Sequence, residues 1–415
     1  MSRLEKLRKE EYGEASRINA YSTDASGFFG AAVSVVTPMN EREIQDAIRM
    51  NPKITIRGGG SGVRGGSIPG EGSAVVDLSK MDKIIEIDPS RNIAVVEAGV
   101  IIQDLNDELE KYGLEFPIVP MSGSISTIGG MIAINSTGLR STKYKKISEW
   151  VLEIDIIDGN GKEKKISRVD ASNVVGMEGI TGIIYRAKLK LINIPQRSMK
   201  AYRSTDMFRI IELVRKLKLL DEVSMIFLVN PELSQMMGLE SVYHLFIEFE
   251  SDKGELKERE YRERLELIEN IPYFAANLGF TRVEDSKVFL DKVVDISDFL
   301  KENKIPYYAD MGMGIVHPIF KDGDEEIISE MYKFVRRMRG QIVGSLGYGR
   351  MKGKYMDIND RKLVQRIKKR YDSNNKLNSG VIIDADEKFE EPSREAVEEM
   401  IKEIDRQEER REKGI

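Results

Sequence analysis

The 415-residue chain has no cysteine, two histidines and one tryptophan. Without a thiol it can form no disulfide, no thiolate zinc site and no iron–sulfur ligation of its own. No run of about 18 apolar residues occurs, so no transmembrane segment is expected. The opening MSRLEKLRKEEYGEA is charged throughout and lacks the apolar core of an export signal, so a cytoplasmic protein is expected. An excess of one charge is missing too. The chain sets 64 basic against 69 acidic residues, a formal charge of −5, which does not suit a general nucleic-acid binder.

Glycine, by contrast, comes in clusters. In RGGGSGVRGGSIP, Arg57 to Pro69, six glycines fall within nine residues directly after the β-like run KITIR. Glycine takes positive φ freely and leaves no Cβ between backbone amide and ligand, so such a run can turn successive N–H groups onto one anion. Gly60, Gly62 and Gly65 satisfy G-x-G-x-x-G, but Pro69 and Gly70 follow where a Rossmann unit must open a helix. A Walker loop fails as well, because Gly66 stands where its lysine belongs. A flexible surface turn is the remaining alternative. Two further segments weigh against it: PMSGSISTIGGMIAINSTGLRSTKY, Pro120 to Tyr144, and VVGMEGITGII, Val174 to Ile184, where Gly176, Gly179 and Gly182 are spaced by three. Three such loops could line one long ligand.

The pattern of elements predicts an α+β chain. Residues 1–29 form an N-terminal helical segment. Residues 30–194 alternate short strands (KITIR, AVVDL, IIEID, NIAVVEAG, VLEIDIID, GIIYRAKLKLI) with helices at EREIQDAIRM and IIQDLNDELEKYG. DGNG at Asp158 to Gly161 is a hairpin turn, and Ile194 and Pro195 mark a break. Residues 195–358 form a cap that packs an antiparallel sheet with helices on one face, with strands expected at VSMIFLV, SVYHLFIEFE, PYYADM, MGIVHPIF and QIVGSLG. Helices are expected at Met207 to Val214, Glu255 to Glu269, Val288 to Leu300 and Glu326 to Arg337. Residues 359–415 return to the first domain and end in an amphipathic helix carrying Val397, Met400, Ile401 and Ile404.

The order RGGGSGVRGG, TIGGMIAINSTGLRSTKY, GMEGITGII resembles the PCMH-type FAD-binding domain of the vanillyl-alcohol oxidase superfamily. Within it, the chain is similar to the branch of the glycolate oxidase D-subunit and the D-lactate dehydrogenases, from Tyr21 through Leu377. The resemblance implies a two-subdomain FAD domain, a substrate-binding cap and a returning C-terminal segment. It implies that Arg57, Gly58, Gly59, Gly60, Ser61, Gly62, Gly65, Gly66 and Ser67 wrap the diphosphate. Gly129, Gly130, Asn135, Ser136 and Gly138 would lie along the flavin, with Ser122 a further cofactor contact. Gly176, Glu178, Gly179 and Ile184 would close the adenosine end. Asn378, in LNSG where this branch usually has LNPG, would sit near the flavin ring. No histidine falls in these segments and no cysteine exists, so FAD is expected to be held non-covalently.

FAD-dependent oxidation of a 2-hydroxy acid needs a base for the hydroxyl proton and a cation or metal for the carboxylate. In this branch a GHxGDGNxH-type strand and a GEHGIG-type segment supply them. Here ADMGMGIVHP keeps Gly312, Gly314 and His317, with Asp310 at the place of the first histidine. GSLGYGRMKGK keeps Gly344, Gly347 and Gly349, but Ser345 replaces the glutamate and Leu346 the base histidine. No metal is therefore expected. His317 is the candidate base or anion anchor near neutral pH, the alternative being a hydrogen-bonded leftover beside Pro318. Asp310 would orient it, or pair with Arg350 or Lys352. Tyr348 would donate a hydrogen bond to substrate or merely fill space. Arg350 and Lys352 would hold a carboxylate or phosphate, with solvated charges as the alternative. His244 shares a strand face with Glu248 and Glu250 and is set aside.

The expected function is oxidation of a small anionic hydroxy compound by a FAD-linked dehydrogenase, with an iron–sulfur or other electron-acceptor protein as partner; homo-oligomerisation is open. A flavin-binding electron-transfer subunit of a glycolate-oxidase-like complex is the alternative. Redox-neutral chemistry of the alkylglycerone-phosphate synthase kind is disfavoured, because its histidine-rich run is absent.

Overall fold

Short β-branched runs become strands and the intervening amphipathic runs become helices in the computed structural model, which describes residues 18–383. Most of the N-terminal segment and the stripe at Val397, Met400, Ile401 and Ile404 lie outside the described residues. Ser34–Val36, Ala74–Asp77 and Ile54–Arg57 form a parallel sheet with Ala74–Asp77 in the middle. The helix Glu41–Met50 links its two outer strands and buries Ile44, Ala47 and Ile48. It starts at Asn40 because that side chain accepts the Glu43 N–H at 3.0 Å, while the Glu43 carboxylate accepts the Met39 N–H at 2.8 Å.

A second sheet is antiparallel, in the order Ile84–Asp88, Ile93–Glu97, Ile183–Lys190, Val151–Ile157, Glu163–Ser167. The Asp158 turn closes its last hairpin, with the carboxylate accepting the N–H groups of Asn160 and Lys162. Its apolar face shares one core with the helices Glu41–Met50, Ile102–Glu110 and Ile128–Ile134.

The cap is one antiparallel sheet in the order Ser198–Ser204, Tyr243–Phe249, Val223–Val229, Tyr307–Asp310, Ile315–Lys321, Phe280–Val283, with Ser286–Lys287 also on Ile315–Lys321. Helices cover both faces rather than one. Met207–Leu217, Val293–Glu302 and Glu325–Arg337 pack on the first. Residues of Glu258–Glu269 and Ile271–Asn277 pack on the second, joined by Met121 and Leu139 from the first domain. Both faces are covered because the inner strand Val223–Val229 is buried along its whole length, with Ile226 and Leu228 on the first face and Met225, Phe227 and Val229 on the second. QIVGSLG, expected as a strand, keeps only a bridge from Gln341 to Lys287, since the amides of Gly344, Ser345 and Leu346 turn onto the Asp285 carboxylate instead of a neighbouring strand.

The tail returns as expected. After the helix Ile358–Tyr371, which the sequence reading missed, the chain runs beside Ile54–Arg57: Ile54 N–H donates to Lys376 O and Asn378 N–H to Ile54 O, both at 2.8 Å. Among the described residues no helix is long and apolar enough to cross a membrane.

A buried ion pair joins cap to first domain. Glu248, with no exposed surface, accepts Arg140 Nε at 2.8 Å, Tyr261 hydroxyl at 2.6 Å and Ser224 Oγ at 2.6 Å. Burial pushes its carboxyl up, and the Arg140 and Arg197 guanidiniums more than reverse that. Removing one partner of such a pair leaves an uncompensated charge. Arg140→Ala should therefore cost about 3–5 kcal/mol in chemical denaturation; a loss no larger than that of an exposed pair, about 1 kcal/mol or less, would show that the pair does not join the domains.

Candidate functional site

Beyond the strand end at Arg57, the glycine run folds as a loop with a stretch of unpartnered amides. Among the described residues, no backbone N–H from Gly59 to Ser67 meets a protein acceptor. Buried or half-buried amides of that kind require a ligand or solvent acceptor. Gly60 and Gly65 hold φ of +66° and +69°, which turns the loop back on itself. A Cβ on Gly59 would stand 1.7 Å from the Ile125 carbonyl oxygen, and one on Gly58 2.3 Å from Thr127 Oγ1, so only glycine lets this loop lie on the second segment. There Ser61, Ser126 and Ser122 form a hydroxyl chain, at 3.1 and 2.8 Å.

Two buried carboxylates hold the GSLGYG segment against this floor. Asp285 Oδ2 accepts the N–H groups of Gly344, Ser345 and Leu346 at 2.8, 2.7 and 2.8 Å. Its Oδ1 accepts Lys352 Nζ at 2.7 Å and Arg64 Nη2, from the glycine loop, at 2.9 Å. Burial pushes Asp285 up, but Lys352 and Arg64 hold it far below the ordinary carboxylate range. Glu178 takes the N–H groups of Tyr348 and Gly349 at 2.6 and 2.8 Å, and burial raises it to about 7 despite those bonds.

These parts enclose one cavity of about 390 Å³, within the range of about 300–1,000 Å³ usual for small-ligand sites. All three glycine segments line it, and the cap supplies Phe227, Tyr308, Asp310, His317, Ser345 and Leu346. The rings of Phe227 and Tyr308 stack at 5.4 Å and those of Tyr308 and His317 at 4.7 Å, forming an aromatic roof. His317 is buried, its Nδ1 lacks a hydrogen-bond partner, and burial lowers its pKa to about 4. Asp310 lies opposite Phe227 in the ladder and accepts the Met313 N–H at 3.0 Å. Burial raises it to about 7, against the Met313 and Gly312 amides and the weaker pull of Lys145 and Lys218.

Of the residues chosen from sequence, Gly58 to Gly62, Gly66, Ser67, Ser122, Gly129, Gly130, Ser136, Gly138, Glu178, Gly179, Ile184, Asn378, Asp310 and His317 line the cavity. Asn378 does so with its amide committed, donating to Glu178 O at 2.7 Å and accepting the Ile56 N–H at 2.8 Å. Others stand behind the wall. Arg57 donates to Thr23 O at 2.8 Å, Gly65 packs under Phe28, Asn135 takes the helix-ending left-handed conformation, and Gly176 N–H bonds Ile132 O.

The charged candidates need correction. Lys352 is buried between Asp285 and Glu284, 2.7 Å from each, so its ammonium is not offered to a substrate. Arg350 donates to Ile68 O and Ser379 O and clasps the tail to the glycine loop. Neither pairs with Asp310. Tyr348 packs against the Val381–Ile382 cluster rather than into the cavity. His317, expected as a base near neutral pH, is held neutral and only weakly basic by its dry surroundings. Sequence reasoning passed over Asp285, Arg64, Phe227 and Tyr308. The adjacent acids in VEDSK were the one available signal, since a buried acid pair demands cations, but nothing in the sequence says that they come from Arg64 and Lys352.

Residues 32–167 match the family described as FAD binding domain. Among curated proteins, the chain is 34% identical over 190 residues to the glycolate oxidase subunit GlcD of Bacillus subtilis (42% of this chain, 40% of that protein). It is 32% identical over 170 residues to the D-lactate dehydrogenase of Archaeoglobus fulgidus, 38% of each. It thus spans about two fifths of the length of these relatives. A solved alkyldihydroxyacetonephosphate synthase superposes with a TM-score of 0.65 at 18% identity, covering 84% of this chain and 76% of that one, a likeness of fold. The free amides and the glycine approach fit a dinucleotide cofactor, and FAD is that cofactor.

Gly59→Ala should displace the loop from Ile125 and weaken FAD binding at least tenfold, about 1.4 kcal/mol, read from flavin absorbance against protein after titration. An unchanged stoichiometry and affinity would remove this loop from the cofactor site.

Proposed function

We propose that this chain, whose residues 32–167 form an FAD-binding domain, is an FAD-dependent dehydrogenase acting on a small anion of the 2-hydroxy-acid class. One observation carries the reading: the free amides of the glycine loop and the ionisable cap residues Asp310 and His317 open into the same cavity. The names of the relatives, a glycolate oxidase subunit and a D-lactate dehydrogenase, supply the substrate class. Bound FAD supplies a two-electron acceptor.

The chain's own residues do the rest. The amides from Gly59 to Ser67 hold the diphosphate, with Arg64 fixing the loop to the cap. Phe227, Tyr308 and Leu346 keep the cap side dry, which strengthens every electrostatic contact beneath them. Lys145 and Lys218, neither of them in an ion pair among the described residues, add positive charge near Asp310, which suits an anionic substrate. Electrons must leave through a partner or a diffusible acceptor, because a chain without cysteine holds no iron–sulfur centre of its own.

Anaerobic mixing with D-lactate, glycolate, D-2-hydroxyglutarate, glycerol phosphates and aldonates tests this. At least one should bleach the bound flavin. Bleaching by none, together with copurification of an iron–sulfur protein, would favour an electron-transfer subunit, the reading that Leu346 in place of a base makes the competitor.

A further inference from the structure

We propose that Asp310 is the group that accepts the substrate hydroxyl proton, taking the work of the basic residue for which Leu346 offers no substitute; this rests on the dehydrogenase reading. The cavity wall itself narrows the choice. Its side chains able to take up a proton near neutrality are Glu178, Asp310 and His317. Glu178 spends both oxygens on the Tyr348 and Gly349 amides, and protonating it would loosen the segment it holds. His317 is stacked flat on Tyr308 in a dry pocket, where burial, with the positive charges of Arg64 and Lys352, outweighs the pull of Asp285 and opposes a proton there.

Asp310 is both placed and available. It ends the strand Tyr307–Asp310 two residues after Tyr308, so both side chains face the cavity, as their lining of it shows. The Met313 N–H fixes Oδ1. The Gly312 N–H also bears on the carboxylate, and among the described residues no side-chain donor or ion pair engages it. The turn that follows is seated on the FAD-binding domain: a Cβ on Gly312 would come within 2.1 Å of Thr142 Oγ1, and Met311 N–H bonds Ile226 O at 2.9 Å. The turn that carries the carboxylate is thus held by the cap strand Val223–Val229 on one side and by Thr142 of the FAD-binding domain on the other. Its charged neighbours are Lys145, on the FAD-binding domain, and Lys218, at the end of a cap helix; with Tyr308 and His317 uncharged, burial dominates and its pKa lies at about 7. A base with that pKa is half ionised at neutral pH and strong enough to take an alcohol's proton as the C–H bond breaks.

The balance is simple. The substrate O–H breaks toward an Asp310 oxygen, the C–O bond becomes C=O, and the carbon's hydrogen departs with its electron pair to the two-electron acceptor. Asp310 then releases its proton to solvent.

Asp310→Asn keeps shape and removes the basic oxygen. In the FAD-loaded protein it should slow flavin reduction by about 10²–10⁴-fold and abolish the rise of the wild-type rate through about pH 7, with flavin content unchanged. Calorimetry with oxalate, an anion with no hydride to give, provides a readout free of turnover: wild type should take up a proton on binding near pH 7, and Asp310→Asn should not. Reduction by Asp310→Asn at the wild-type rate, or oxalate-linked proton uptake that persists in it, overturns the assignment. If wild type is reduced by no substrate yet shows the Asp310-dependent uptake, the dehydrogenase reading fails and takes the hydroxyl-proton role with it, leaving Asp310 only as a proton site linked to anion binding.

Discussion

The buried Asp285 carboxylate is the point on which the rest of the structure depends. One oxygen collects the amides of Gly344, Ser345 and Leu346, and the other the cations of Lys352 and Arg64. A carboxylate without exposed surface is tolerable only when its charge and lone pairs are both satisfied. Meeting that requirement draws three distant pieces of chain to one place: the glycine loop through Arg64, the cap edge through Asp285 itself, and the GSLGYG segment through its backbone. Glu178 repeats the device one turn further on, with Tyr348 and Gly349. The cavity is what these clasps leave between them.

Dryness under the cap then sets the chemistry of the two ionisable groups in the roof. Burial disfavours whichever form is charged, so the same surroundings push an imidazole down and a carboxyl up. His317 falls to about 4 and Asp310 rises to about 7, which reverses the roles their ordinary values would assign. Residue type alone favoured the histidine, and environment favours the aspartate.

Local patterns were legible wherever neighbours in sequence decide the outcome. The glycine run, the Asp158 turn and the stripe of Met207, Ile210, Ile211 and Val214 follow from spacing and side-chain type. Legibility failed where a partner lies far along the chain. Lys352 and Arg350 read as free cations because Asp285, Glu284, Ile68 and Ser379 are not near them in sequence. QIVGSLG read as a strand because nothing in its apolar pattern shows that the distant Asp285 takes the amides of Gly344, Ser345 and Leu346.

The sequence by itself determined that this chain carries a glycine-rich loop fit to cradle an anion, an α+β alternation of elements, and no thiolate chemistry. Those properties depend on backbone permissiveness, periodicity and composition, all of them local. Only the tertiary structure decided which ionisable groups face the ligand, which are spent as clasps, and which hold a proton at neutral pH, because burial and long-range pairing come into being only when the cap closes over the glycine loops.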